Sequence, residues 1–439
     1  MWLIRNVHVV DPAQSLDEVC DVRFDRTIID IRPSSSGFPE DKGREGLRTF
    51  DAEGKYLFPG LVDAHVHLRE PGREDKEDIA SGARAAVRGG FTSIMAMANT
   101  TPAIDTRGQV EFVLRRGRQA GGARVYPAAA LTKGRAGTEL VEMVELKRSG
   151  AIAFSDDGNG IQQAETMRLA LQYAQLTGCP IIAHCEDDSL AARGVMRRGQ
   201  HSARLGMVGI PAAAESVMVA RDILLAKENG GKVHFAHLST AESIELIRRG
   251  KAWGLDLTAE VNPHHLIFCD SDVDLVRTEY KVNPPLPSAE DRDALLAALL
   301  DGTIDMLATD HAPHTWEEKN CPFPEAPFGI NALETALAAV WTYLVHPGKL
   351  PKETLIRSWS WNPARRFNLP GGSLKPGQPA DLILFDPQHE EVIGEGIWLS
   401  KATNTPFWGQ RLRGFAVAAW IDGKIMATRR EDLTVDGRC

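Results

Sequence analysis

The sequence predicts an α/β fold: a (β/α)8 TIM-like barrel with a small β-sandwich domain formed by both chain ends. Three observations lead there. Between residue 57 and about residue 313, eight short apolar runs alternate with longer amphipathic stretches, the pattern of buried parallel strands joined by helical crossovers. Those runs end repeatedly in His, Asp or Asn. Both chain ends share a different texture, short β-rich runs broken by turns. The alternation alone would also suit a doubly wound open sheet.

In chain order, residues 1–56 show no helical periodicity. Residues 3–10 alternate in part, 22–31 are β-rich, and 37–45 read as a polar loop. The apolar run at 57–62 opens the barrel, in a strand expected to continue to 67. Further strands are expected at 91–97, 125–131, 151–157, 180–186, 232–239, 255–265 and 304–313. Helices are expected between them at 75–88, 108–120, 139–148, 164–177, 213–229, 241–249 and 289–300. Two more, at 330–345 and 351–360, flank the break at Pro347-Gly348. Strand and turn texture returns after Phe367. Residues 1–56 and 367–439 therefore form the expected β-sandwich domain, and 57–366 the catalytic barrel.

Composition narrows the function classes. The 439 residues are 43% hydrophobic and 25% charged, an ordinary globular balance. A net charge of −9 argues against nucleic-acid binding by bulk electrostatics. Six scattered cysteines with no Cys-X-X-Cys pair point to free thiols in a reducing compartment. No signal-peptide pattern or membrane-length apolar run is present, so a cytoplasmic, membrane-free protein is expected.

The chemistry concentrates in Asp63-Ala64-His65-Val66-His67, which ends the first barrel strand. Side chains at i and i+2 of a strand share a face, so His65 and His67 point together. Two imidazoles on one face are half of a transition-metal site. A lone His-X-His is more often structural; here the later strand ends supply the other half. The fourth ends in Asp156-Asp157-Gly158, the fifth in His184, the sixth in His237, and the eighth in Asp310, His311 and His314. A (β/α)8 barrel gathers all these ends on one rim. Four histidines and two aspartates suit two first-row ions that share a bridging carboxylate, with zinc the default.

These residues resemble the dihydroorotase family of the amidohydrolase superfamily. The resemblance is carried by His65-Val66-His67-Leu68-Arg69-Glu70-Pro71-Gly72, Met97-Ala98-Asn99-Thr100, Ser155-Asp156-Asp157-Gly158, His184-Cys185-Glu186, Ala236-His237-Leu238-Ser239, Val282-Asn283-Pro284-Pro285 and Asp310-His311-Ala312-Pro313-His314. Ala326-Pro327-Phe328-Gly329 and the tail Gly377-Gln378-Pro379-Ala380-Asp381-Leu382 extend it over nearly the whole chain.

The resemblance implies a cyclic amide hydrolase of pyrimidine biosynthesis, interconverting (S)-dihydroorotate and N-carbamoyl-L-aspartate on two divalent ions, by default zinc. It implies His65, His67 and Asp310 at one ion, His184 and His237 at the other, and Asp157 between them. Many relatives bridge with a carboxylated lysine; Asp157 replaces it here, as in a long-chain bacterial branch. Asp156, the alternative, should face the opposite side of the strand. Asp310 doubles as the catalytic proton carrier. Arg69, Asn99, Asn283, His314 and the backbone at Phe328 and Gly329 are the implied substrate contacts, and Thr315–Pro327 a polar loop over the site. His264, His265 and Cys185 receive structural roles. A homodimer and association with aspartate transcarbamoylase are the partner arrangements the resemblance admits. The rival substrates are hydantoin, dihydropyrimidines and allantoin; Arg69 and Asn99 argue for the carboxylate-bearing ring. A metal-free scaffolding subunit is the rival outside enzymes, and the full ligand set argues against it.

Overall fold

A computed structural model of the chain describes residues 1–38 and 46–429. Most of the expected loop at 37–45, the end of the tail and Cys439 lie outside the described residues.

Eight parallel strands follow one another around the barrel in chain order: Leu61–Val66, Phe91–Ala96, Arg124–Ala129, Ala153–Phe154, Ile181–Ala183, Val233–Phe235, Leu257–Val261 and Met306–Leu307. The first and last strands meet beyond their ends. There Val66 bridges His311, and the His67 amide donates to the His311 carbonyl at 2.8 Å. Asp63 reinforces this closure by accepting the Thr309 amide at 3.0 Å. Small and flexible side chains fill the interior, among them Ala64, Met95, Ala128, Ile182, Ala236 and Met306. The barrel is thus a packed core with its chemistry confined to one rim.

The chain ends fold together as one eight-stranded sheet. Its strands Trp2–Asp11 and Leu16–Phe24 pair antiparallel, and Leu382–Val392 joins Tyr56–Pro59 to Arg411–Ile421. The sheet curls until Trp2 and Trp420 touch edge to face at 5.8 Å, enclosing a core of its own. Phe58, Ile383 and Phe385 pack instead with the barrel's apolar residues.

Element bounds differ from the sequence reading where local chemistry intervenes. The run expected as one strand over 57–67 is divided at Gly60, with Tyr56–Pro59 in the end sheet and Leu61–Val66 in the barrel. Gly60 lies against Thr92, where a Cβ would stand 2.2 Å from the Thr92 hydroxyl oxygen. The helix expected from 75 begins at Ile79, because Asp78 caps it by accepting the Ser81 amide at 2.7 Å. The strand expected over 255–265 stops at Val261; Pro263 opens a short helix, Pro263–Ile267, that carries His264 and His265. The eighth strand is only two residues long, and the chain leaves the ladder before Asp310.

Candidate metal and substrate site

The rim gathers the six side chains the sequence marked as metal ligands, His65, His67, Asp157, His184, His237 and Asp310. His65 sits at the bottom, fully buried, and His67 lies one step above it past the end of the strand. Asp157 follows the fourth strand, His184 the fifth, His237 the sixth and Asp310 the eighth. The backbones of Arg69, His237 and Asp310 have positive φ, at 60°, 32° and 49°. That region is disfavoured for non-glycine residues and persists where surrounding structure enforces it, commonly at functional sites.

Asp157 occupies the middle of the cluster. Its Oδ2 lies 3.4 Å from His65 Nε2 and 3.5 Å from His67 Nε2; its Oδ1 lies 3.4 Å from both His184 Nδ1 and His237 Nε2. Asp310 Oδ1 stands 3.0 Å from His67 Nε2 and 3.6 Å from His65 Nε2. Two nitrogen or oxygen ligands of one tetrahedral zinc, each about 2.0–2.1 Å from it, stand about 3.3 Å apart. The observed spacings match. Four buried atoms of the cluster residues, His65 Nε2, Asp157 Oδ1, His184 Nε2 and His237 Nδ1, have no hydrogen-bond partner, which a buried polar atom rarely tolerates. The triads His65–Asp157–His237 and His65–His67–Asp310 each hold three ligand atoms within reach of one ion. The donor set therefore fits divalent metal, with Asp157 facing both pairs of imidazoles.

Electrostatics agree. Burial alone would raise the Asp157 and Asp310 carboxyls, but the surrounding imidazoles, His65 foremost, outweigh it and hold both well below the usual range. Both are ionised, as ligands must be. Asp156 behaves differently: its carboxylate turns away to accept the Leu131 and Thr132 amides at 2.8 and 3.0 Å. Cys185 also turns away, into the core, with Sγ 4.0 Å from Asp222.

A cavity of about 200 Å³ opens above these groups, lined in part by Arg69, Asn99, Asn283, His314, Phe328 and Gly329. Asn99 accepts His67 Nδ1–H at 2.8 Å through Oδ1, which orients that imidazole and leaves the Asn99 NH2 for the cavity. Asn283 donates to Glu186 at 3.3 Å, while its Oδ1 is buried without a partner. His314 Nε2–H donates to the Phe328 carbonyl at 2.9 Å. The Gly329 amide is committed to the Lys281 carbonyl at 2.9 Å. Gly329 has φ 138°, and a Cβ there would lie 2.6 Å from that of Ala312. The polar loop expected at Thr315–Pro327 carries a short helix, Trp316–Lys319. Buried Lys319 fastens it, donating to the Thr278 and Pro327 carbonyls at 3.0 and 2.9 Å. Burial lowers the Lys319 ammonium to about 7. His264 and His265 are buried beside the rim; His265 Nε2 donates to the Pro284 carbonyl at 2.9 Å, the structural role expected of it.

Sequence reading missed Glu260, which contacts His65 from below at 2.7 Å, and Arg135, which donates to the Asp157 carbonyl at 2.7 Å. A charged residue inside an apolar strand, Leu257–Val261, was the available signal for Glu260.

A parallel eight-stranded barrel whose rim fits divalent metal is joined to a sheet from both chain ends, and the relatives it matches make it a cyclic amide hydrolase. Comparison with known proteins makes the assignment finer. A model of dihydro-orotase-like proteins matches residues 54–243. The chain is 47% identical to a dihydroorotase of Pelotomaculum thermopropionicum, over 98% of this chain and 99% of that one. It is 44% identical to a dihydroorotase of Syntrophus aciditrophicus, over 97% and 98%. In structure it resembles an L-hydantoinase (dihydropyrimidinase) from Arthrobacter aurescens, with a TM-score of 0.84, 25% identity, and coverage of 99% of this chain and 97% of that one. The chain belongs to the dihydroorotase family. Among the described residues no helix is long and apolar enough to cross a membrane.

Proposed function

We propose that the protein interconverts (S)-dihydroorotate and N-carbamoyl-L-aspartate, closing the ring in de novo pyrimidine biosynthesis, with two divalent ions held by His65, His67, Asp157, His184, His237 and Asp310. Zinc is the default for so many imidazoles. When bound, such ions lower the pKa of a water nucleophile towards ~7 and polarise the scissile carbonyl. The side chains do the rest. Asp310, ionised and at the cavity floor, takes the proton of the attacking water and returns it to the leaving ring nitrogen. Asn283 Oδ1, unpartnered, accepts a ring N–H, and the Asn99 NH2 and the Phe328 carbonyl complete the polar edge. Gly329 keeps that wall free of a side chain.

Arg69 carries the substrate assignment. Its guanidinium lines the cavity from a half-buried residue, and burial lowers it to about 10, so it stays charged at neutral pH. It donates to the Pro313 carbonyl at 3.3 Å and lies 3.4 Å from His314 Nε2, whose own proton goes to Phe328; among the described residues no carboxylate lies in ion-pair contact with it. A half-buried guanidinium without a carboxylate partner is completed by a ligand carboxylate, the group that distinguishes dihydroorotate from dihydrouracil and hydantoin.

Catalysis by the barrel, expected over 57–366 and opening at Leu61 because Tyr56–Pro59 joins the end sheet, action on a small molecule in the cytoplasm, a homodimer and contact with aspartate transcarbamoylase belong to the same proposal. Size determination of the protein alone and mixed with aspartate transcarbamoylase tests the assembly. Hydrolysis of dihydroorotate, dihydrouracil and hydantoin, assayed side by side on metal-loaded protein, tests the reaction. Preference for dihydrouracil or hydantoin overturns it.

A further inference from the structure

One buried carboxylate has no part in the chemistry above. Glu260, in the strand Leu257–Val261, is wholly inaccessible to solvent. Its Oε1 accepts His65 Nδ1–H at 2.7 Å and the backbone N–H of His237 at 3.3 Å. Its Oε2 accepts His234 Nε2–H at 2.9 Å, and His234 Nδ1 accepts the Thr258 hydroxyl at 2.9 Å. An ionised carboxylate only accepts, so each imidazole facing it must donate. That fixes the tautomer His65 would take as a ligand: the proton on Nδ1, and the Nε2 lone pair free for a metal beside Asp157 and Asp310.

Two features make this more than a buried ion pair. His65 belongs to the ligand set of one ion and His237 to that of the other, and Glu260 touches both, so one carboxylate spans the two metal positions. His237 holds a strained backbone, φ 32°, and Glu260 grips that turn twice: its side chain accepts the His237 amide, and its own carbonyl accepts the Leu238 amide at 3.0 Å. We propose that Glu260, with His234 behind it, is a positioning residue that sets the tautomer of His65 and the backbone of His237 together, holding ligands of both metal positions in register. The inference rests on the metal site proposed above. A carboxylate behind a ligating histidine orients the ring and raises its basicity, and loss of such a partner costs about 10–100-fold in metal affinity.

The test is Co²⁺ binding to metal-free wild type, Glu260→Leu and Glu260→Gln, read by visible absorption, with the melting temperature of each metal-free protein measured in parallel. Leucine removes the acceptor; glutamine keeps an oxygen for His65 but loses the charge. The expected order of affinity is wild type, then Gln, then Leu, with Leu weakened about 10–100-fold and its Co²⁺ bands displaced. Lowered melting temperatures with unchanged Co²⁺ affinity and bands in both folded variants would mean a purely structural carboxylate and overturn the proposal. If Leu does not fold, Gln decides: weaker binding with displaced bands supports positioning, and a wild-type titration overturns it. If neither variant folds, Glu260 serves folding and the proposal fails. Absence of Co²⁺ uptake by wild type itself would instead overturn the metal site, and this inference with it.

Discussion

The barrel rim holds two kinds of buried carboxylate. Asp63 and Asp156 tie strands together: Asp63 accepts the Thr309 and His65 amides at 3.0 and 3.3 Å, and Asp156 those of Leu131 and Thr132. Asp157 and Asp310 face imidazoles, and Asp157 Oδ1 has no hydrogen-bond partner at all. Burial pushes Asp63 up to about 7, whereas around Asp157 the imidazoles outweigh burial and hold the carboxyl far down. Adjacent residues in one sequence thus separate into a joint satisfied by backbone and a ligand left for a cation. Charge already answered by amides is structural; charge answered only by other ligands is functional.

The sharpest way to break this comparison is to exchange the two fates. Asp157→Asn is expected to lose bound metal and to drop activity to background, while Asp156→Asn keeps metal and loses about 1–3 kcal/mol of stability, the cost of disrupting a buried hydrogen-bonded group. Elemental analysis and urea unfolding of both variants check it. Wild type should approach two ions per chain and regain them in bicarbonate-free buffer, because Asp157 needs no carbon dioxide to become a carboxylate. Equal metal loss in both variants would end the distinction.

The next largest effect falls on the cationic wall. Arg69→Met should cost dihydroorotate about 10³-fold in kcat/KM and leave hydantoin and dihydrouracil nearly unchanged, in keeping with discrimination by polar pockets. Kinetics on the three rings read this directly, and a uniform loss would make Arg69 a structural residue. Smaller again, Asp310→Asn keeps an oxygen at the metal but removes the proton carrier. Metal content should be largely retained and turnover should fall at least ~10²-fold. Near-normal turnover would move the proton to another group.

Much of this site is legible from the chain. A two-residue period places His65 beside His67 and sends Asp156 and Asp157 to opposite faces, because a strand has only two faces. Barrel geometry then gathers strand ends that lie far apart in sequence. Glu260 escapes the same reading: its strand looks apolar, and its partner His65 lies 195 residues away. Local periodicity reports which face a residue takes and says nothing of what waits there. The break at Gly60 was hidden for a related reason, since the run at 57–62 is apolar throughout while its halves belong to different sheets. Lys319 lies in a polar stretch that reads as a loose loop, and only the fold shows two carbonyls waiting for its ammonium.

The smallest expected effect concerns His314, whose neighbours are the reverse of those around Asp157. Burial, then Arg69, Lys76 and Lys319, push its imidazole down to about 3, against the opposing pull of Glu318. It is therefore neutral at neutral pH, donating through Nε2 to the Phe328 carbonyl and accepting Lys76 Nζ at Nδ1, 3.2 Å away. A histidine depressed from 6.5 on folding binds fewer protons in the native than in the unfolded state. Its contribution to stability is complete above pH 6.5 and is lost as pH falls from there towards 3. His314→Gln should flatten that part of the stability–pH curve relative to wild type. In wild type the His314 ring proton signal should stay at its neutral position down to about pH 4, following the direction of that linkage. A normal titration near 6.5 would mean that the cations lining this wall do not press on His314, and the contrast between a cationic wall and an anionic floor would not hold there.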